Sequence, residues 1–126
     1  MAESESILET IVSGLGLEVD ESAFNPEIIM YVNSALLTVY QNGAGTPLVV
    51  KDYAQTWTDF KDPAQVEGNK MFEQIKLYVM LKTKIIFDPP PPSTATYMQS
   101  YIDELLWRIR VAYCVATREE VVVDDE

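Results

Sequence analysis

Histidine is absent from this sequence, and cysteine occurs only once, as Cys114. Histidine is the commonest general base and metal ligand, and a thiolate metal cluster needs several cysteines. With no histidine to activate it, Cys114 is interpreted as a buried structural residue. These shortages exclude most hydrolytic and metal-dependent sites, so we expect no enzymatic activity, no metal and no cofactor.

Basic residues are also scarce. Nine lysines and arginines stand against 20 acids, and the formal net charge is -11. Because affinity for nucleic acid depends on cations that neutralise phosphates, sequence-specific or tight DNA binding is not expected. The same negative charge suits a protein surface that repels phosphate and so lets a DNA duplex slide past without binding.

Long hydrophobic runs are missing as well. Lys76, Lys82 and Lys84 interrupt the most apolar stretch, residues 71–87, which is therefore unsuited to crossing a membrane. The acidic N-terminus does not resemble a secretory signal, so we expect a protein kept in a cytoplasm. The length suits one compact domain, predicted over 1–126.

Apolar residues recur at helical spacing in four segments, which predicts an all-α domain resembling a small four-helix bundle. The first helix follows Ser6, which precedes Glu9 by three residues in a capping-box pattern. The second is predicted to have Asn25 as its N-cap and Pro26 at its first position, and to end at Gly43.

A long polar connection, residues 43–69, separates the second and third helices. Leu48 to Val50 suits a short strand or hairpin, and Thr56 begins a capping-box pattern that predicts one helical turn. This turn presents Trp57 and Phe60, two aromatic residues that indicate a loop pinned to the domain. Long loops within compact domains are often functional.

The third helix, about residues 69–87, is apolar on more than one face, since Leu77, Met80 and Leu81 lie outside its main stripe. Two interpretations stay open. Either this helix is the central one of the bundle, or a neighbouring subunit covers its second face.

Four prolines, Pro89 to Pro92, end the third helix. Ser93 or Thr94 is predicted to cap a fourth helix that runs to about Tyr113, and residues 114–126 are expected to form an extended or disordered acidic tail. The inward stripe of the fourth helix is Met98, Ile102, Leu105, Ile109 and Ala112, flanked by Tyr97, Tyr101 and Trp107.

Charge is unevenly distributed along the chain. Six of the nine bases lie on the third and fourth predicted helices, whereas both termini are acidic. Such asymmetry suits head-to-tail packing of identical subunits into a ring, although ordinary interspersed surface charge explains it equally well. Glu104 and Arg108 are spaced to form an ion pair on the fourth helix.

Several segments, taken in order, resemble the head-tail connector, or head completion, family of long-tailed bacteriophages. The resemblance covers about residues 24–110, and the Phe-Asp-Pro-Pro turn and the Glu-x-x-Trp-Arg segment are its most specific parts. The matching residues are Ile28-Ile29, Asn33-Ser34-Ala35, Trp57 with Asp59-Phe60, Lys76 through Lys82, Phe87-Asp88-Pro89-Pro90, Glu104 and Trp107-Arg108.

This resemblance implies a helical, non-catalytic subunit of a ring, commonly twelvefold, below the portal protein at the capsid vertex. The ring would prolong the DNA channel and offer a platform to a tail-side completion or stopper protein. The expected location is the head-tail joint of the virion, after assembly in the host cytoplasm. The residues expected to contact another subunit or a partner are Trp57, Phe60, Lys76, Tyr78, Lys82, Trp107 and Arg108.

Two other functions stay open at this point. A tail-completion protein would act at the other side of the joint. An acidic DNA-mimic or adaptor module would use its negative surface to occupy a basic site on another protein.

Overall fold

A computed structural model describes the backbone of residues 5–19 and 23–125 and the side chains as far as Tyr113. Over these ranges the regular structure is helical and no strand is present, which confirms the predicted all-α class. The helices are α1 (Ile7–Gly14), α2 (Asn25–Gln41), α3 (Trp57–Phe60), a 3-10 turn (Gly68–Met71), α4 (Phe72–Phe87) and α5 (Pro92–Asp125).

Helix α4 lies at the centre. It packs against α1, α2 and α5, whereas α2 and α5 touch each other little. Ile75, Tyr78 and Val79 of its main stripe are buried, whereas Ile86 near its end is 47% exposed. The partly buried side chains of Leu77, Met80 and Leu81 also pack against the core. The central position of α4 agrees with the first of the two interpretations, and the second apolar face of the helix is partly covered within the subunit.

Two predicted helix caps are confirmed. The Ser6 hydroxyl accepts a hydrogen bond of 3.2 Å from the Glu9 backbone N–H at the start of α1. At α3, the Thr56 hydroxyl accepts from the Asp59 N–H, and the Asp59 carboxylate accepts from the Thr56 N–H at 3.0 Å. Each cap satisfies N–H groups that have no partner within the helix.

Two other predicted caps are wrong. Asn25 is the first residue of α2, and its side-chain amide donates instead to the Tyr53 hydroxyl at 3.1 Å. Helix α5 already begins at Pro92, so Ser93 and Thr94 lie inside its first turn.

The predicted short strand at Leu48–Val50 is also wrong. The Asn33 side chain takes the place of a neighbouring strand: its amide nitrogen donates to the Val50 carbonyl at 3.0 Å, and its oxygen accepts from the Val50 N–H at 2.7 Å. One side chain therefore satisfies both backbone groups of Val50, which removes the need for a strand partner there.

The predicted pinning of this connection is confirmed. Phe60 is fully buried and Trp57 is 3% exposed. The Trp57 indole N–H donates to the Thr10 hydroxyl at 3.1 Å, and the backbone N–H of Ile7 donates to the Gln55 carbonyl at 3.0 Å. The connection is thus attached to α1 by side-chain and main-chain bonds.

Tyr113 of α5 also contacts this region. The Tyr113 ring packs directly on Gly68, where any β-carbon would overlap it, and the Tyr113 hydroxyl donates to the Asn69 side chain at 3.0 Å. Burial raises the pKa of Tyr113 to about 12. The α5 backbone continues as a helix past the predicted end near Tyr113 to Asp125, so the extended or disordered tail predicted over 114–126 is not seen as far as Asp125. Side chains from position 114 onward lie outside the described residues.

Gly45 and Gly16 allow a matched stability test. Both have a φ of 82°, which disfavours any side chain, but only at Gly45 would a β-carbon overlap a neighbour, the Phe60 ring. Gly16→Ala should lose about 1–2 kcal/mol from the left-handed backbone alone. Gly45→Ala should lose clearly more in urea denaturation, and equal losses would contradict the close approach of Phe60.

Tyr113→Phe should make unfolding less sensitive to alkaline pH. A tyrosine in the unfolded chain loses its proton near pH 10, whereas folded Tyr113 keeps it to about 12. The wild type is therefore expected to lose stability as pH rises between these values, because the unfolded state binds fewer protons. Denaturation midpoints at pH 8 and 11 should differ less in the variant, and Tyr97→Phe, at an exposed tyrosine, is the control.

Candidate interaction surfaces

The outward side of α5 carries a row of large apolar side chains. Ile102, Leu105 and Ile109 of the predicted inward stripe are buried, so residues on the opposite side of the helix remain exposed. These are Tyr97, Tyr101, Trp107 and Val111, with exposed fractions of 79%, 45%, 57% and 38%, and we call them the α5 face. At 1.5 Å per residue the α5 face is about 21 Å long.

An ion pair lies within the α5 face. An Arg108 guanidinium nitrogen is 2.6 Å from a Glu104 carboxylate oxygen, as the spacing of the two residues predicted. Both side chains are about half exposed, so the pair contributes little to the stability of the subunit. Its position places a polar group among the aromatic rings of the α5 face.

A second apolar surface lies on α2. Met30, Leu37 and Tyr40 are 68%, 53% and 41% exposed, and we call them the α2 face. The 17 residues of α2 include one charged side chain, Glu27, which accepts a hydrogen bond of 2.9 Å from the Tyr31 hydroxyl. The sequence analysis missed this surface, although three large apolar residues outside the buried stripe of α2 were a usable signal.

Three of the residues expected at an interface lie in the subunit's own core. Tyr78 is 1% exposed, and the buried rings of Trp57 and Phe60 both pack on Phe72, with centroids 6.3 and 6.5 Å away. The rings of Trp57 and Phe60 fill the contact between α3 and α4. These three side chains offer no free surface in the isolated subunit.

The other four expected residues are at least partly accessible. Trp107 and Arg108 share the α5 face, while Lys76 and Lys82 are partly buried on α4. The Lys76 ammonium lies 3.2 Å from carboxylate oxygens of both Glu5 and Glu73. That these four contact another molecule stays a prediction.

An open groove lies beside Lys76. It is lined by Glu5, Trp57, Lys61, Phe72, Glu73 and Lys76 among others, with the Lys61 ammonium 5.1 Å from the centre of the Phe72 ring. Two lysines and two glutamates balance in charge, so the groove selects neither anions nor cations.

Neither metal chemistry nor membrane insertion finds support in the described residues. No cluster of acidic or cysteine side chains within them could hold a metal ion. No helix in the described part of the chain is both long and apolar enough to span a bilayer.

Comparison with known proteins identifies a family. The family model described as "Phage connector protein" matches residues 7–115. No curated protein and no solved structure matches the chain. The matched segment begins with α1 and extends past Tyr113, so it includes both the α2 face and the α5 face.

The two tryptophans should respond differently to truncation. Trp57→Ala removes a buried ring and is expected to lose about 3–5 kcal/mol of unfolding free energy. Trp107→Ala removes an exposed ring and should change the unfolding free energy of the monomer by less than about 0.5 kcal/mol. Urea denaturation at low protein concentration measures both, and a large loss in the second variant would show that Trp107 supports the subunit itself.

Proposed function

The chain belongs to the phage connector protein family, and on that premise we propose that its copies form a ring at the portal vertex that completes the head, extends the DNA channel and joins head to tail. The family's role is structural and lies at the head-tail joint. The match over residues 7–115 carries the proposal. The apolar α5 face supports it, because exposed patches of this kind mark protein–protein contacts.

The charge of the chain supports a passage for DNA. With a net charge of -11, a ring of copies repels phosphate and has little tendency to hold a duplex by counterion release. DNA would then move through the channel without sequence-specific binding. The acidity that excludes a DNA-binding role is compatible with lining a DNA channel.

The partners follow from this position. The portal protein lies on the head side and a completion or stopper protein on the tail side, with further copies of the chain around the ring. The resemblance noted above suggests twelve copies. Assembly would take place in the host cytoplasm, and the mature protein would be part of the virion.

A reconstitution experiment tests the proposal. DNA-filled heads from a phage lacking this gene product should bind the purified protein and then join added tails, which restores infectivity. Electron microscopy of the treated heads should show added density at the portal vertex. Binding to isolated tails but not to heads would favour the tail-completion function, and binding to neither would overturn both.

A further inference from the structure

We infer that neighbouring copies contact each other through two different surfaces, the α5 face of one copy lying on the α2 face of the next. This inference rests on the proposed ring and adds the surfaces that build it. Because the two surfaces differ, the contact is heterologous. A heterologous contact repeats from copy to copy and forms a ring when the rotation between neighbours closes.

The position of α4 supports this arrangement. Since α4 packs against both α2 and α5 while those two helices touch little, the α2 face and the α5 face belong to different flanks of the subunit. A single copy cannot bring its own two faces together. A row of copies can cover every face except those at its two ends.

The extent of the two surfaces fits the centre of a contact. An aromatic side chain offers about 150–250 Å², so the three partly exposed rings of the α5 face present on the order of 300–450 Å². A standard interface buries about 800 Å² on each partner and has an apolar centre with a polar rim. The α5 face supplies such a centre, and tyrosine and tryptophan are enriched where binding energy concentrates.

Charge favours pairing of α2 with α5 over pairing of like surfaces. Copies with a net charge of -11 repel each other, so a contact should lie where acids are few. Glu27 is the single charged residue of α2. Near Trp107, α5 carries the acids Asp103 and Glu104 and the bases Arg108 and Arg110, so its charge is balanced there, with Arg108 paired to Glu104. Two α2 faces crossing in parallel would bring two Glu27 carboxylates close, while an antiparallel α2–α5 contact offers Glu27 an arginine.

The aromatic part of the α5 face matches the α2 face in length, while Val111 lies one turn beyond it. Met30 to Tyr40 and Tyr97 to Trp107 each span ten residues, or about 15 Å. If the helices cross antiparallel, Tyr40 lies near Tyr97 and Met30 near Trp107. The same crossing brings Leu37 near Tyr101 and places Glu27 toward the arginine end of α5.

Mixing two variants tests the pairing. Leu37→Glu inactivates the α2 face and Trp107→Glu the α5 face, and both sites are exposed, so folding should persist. Each variant alone should self-associate at least about 30-fold more weakly, the equivalent of losing one interface hot spot. An equimolar mixture should form a 1:1 heterodimer that grows no further, because one intact contact remains.

Light scattering distinguishes the outcomes. If either variant alone still self-associates like the wild type, its altered face is not used and the inference is overturned. Val66→Glu is the matched control, since it places the same charge on an exposed apolar residue outside both faces and should assemble normally.

Cross-linking on DNA-filled heads tests the same pairing if the protein assembles only at the portal. Leu37→Cys and Tyr101→Cys, each combined with Cys114→Ser, are bound together to DNA-filled heads and oxidised with diamide. Disulfide-linked heterodimers are expected from the mixture and no dimers from either variant alone. Variants that bind heads without cross-linking would overturn this pairing and leave the proposed function intact, whereas a wild type that fails to bind heads would overturn the proposed function.

Discussion

Helix α4 is covered on three sides by α1, α2 and α5, and the rest of the subunit depends on this packing. A helix that is apolar on more than one face can be stable in water only if several neighbours cover it. Placing α4 in the centre leaves α2 and α5 on separate flanks, each with one face turned inward and one outward. The outward faces then become the surfaces available to other copies or partners.

The long connection between α2 and α4 stays ordered without a sheet. Its backbone groups need partners, and the Asn33 side chain supplies both partners of Val50. Its aromatic residues need burial, and Trp57 and Phe60 obtain it against Phe72. Side chains thus perform the tasks that a strand and its neighbour would otherwise perform, and the connection becomes part of the core.

Local signals predicted local structure well. The caps at Ser6 and Thr56 were identified correctly because donor and acceptor are three residues apart. The predicted cap at Asn25 failed because α2 begins one residue earlier than expected, with Phe24 at the N-cap position, and the Asn25 amide donates to the Tyr53 hydroxyl, 28 residues away. The interface residues were predicted less well. An aromatic residue such as Tyr78 looks the same in the sequence whether it is buried in the subunit's own core or in a contact with another subunit.

The sequence by itself determined the helical class, the lack of histidine and cysteine chemistry, the acidic charge and the family resemblance, because composition, periodicity and local motifs carry these properties. Tertiary structure alone decided that Trp57 is enclosed while Trp107 is exposed, and that α2 and α5 carry exposed apolar faces while most of α4 is covered. The physical reason is that periodicity specifies which residues share a face of a helix, whereas burial depends on which other elements of the fold come to lie against that face.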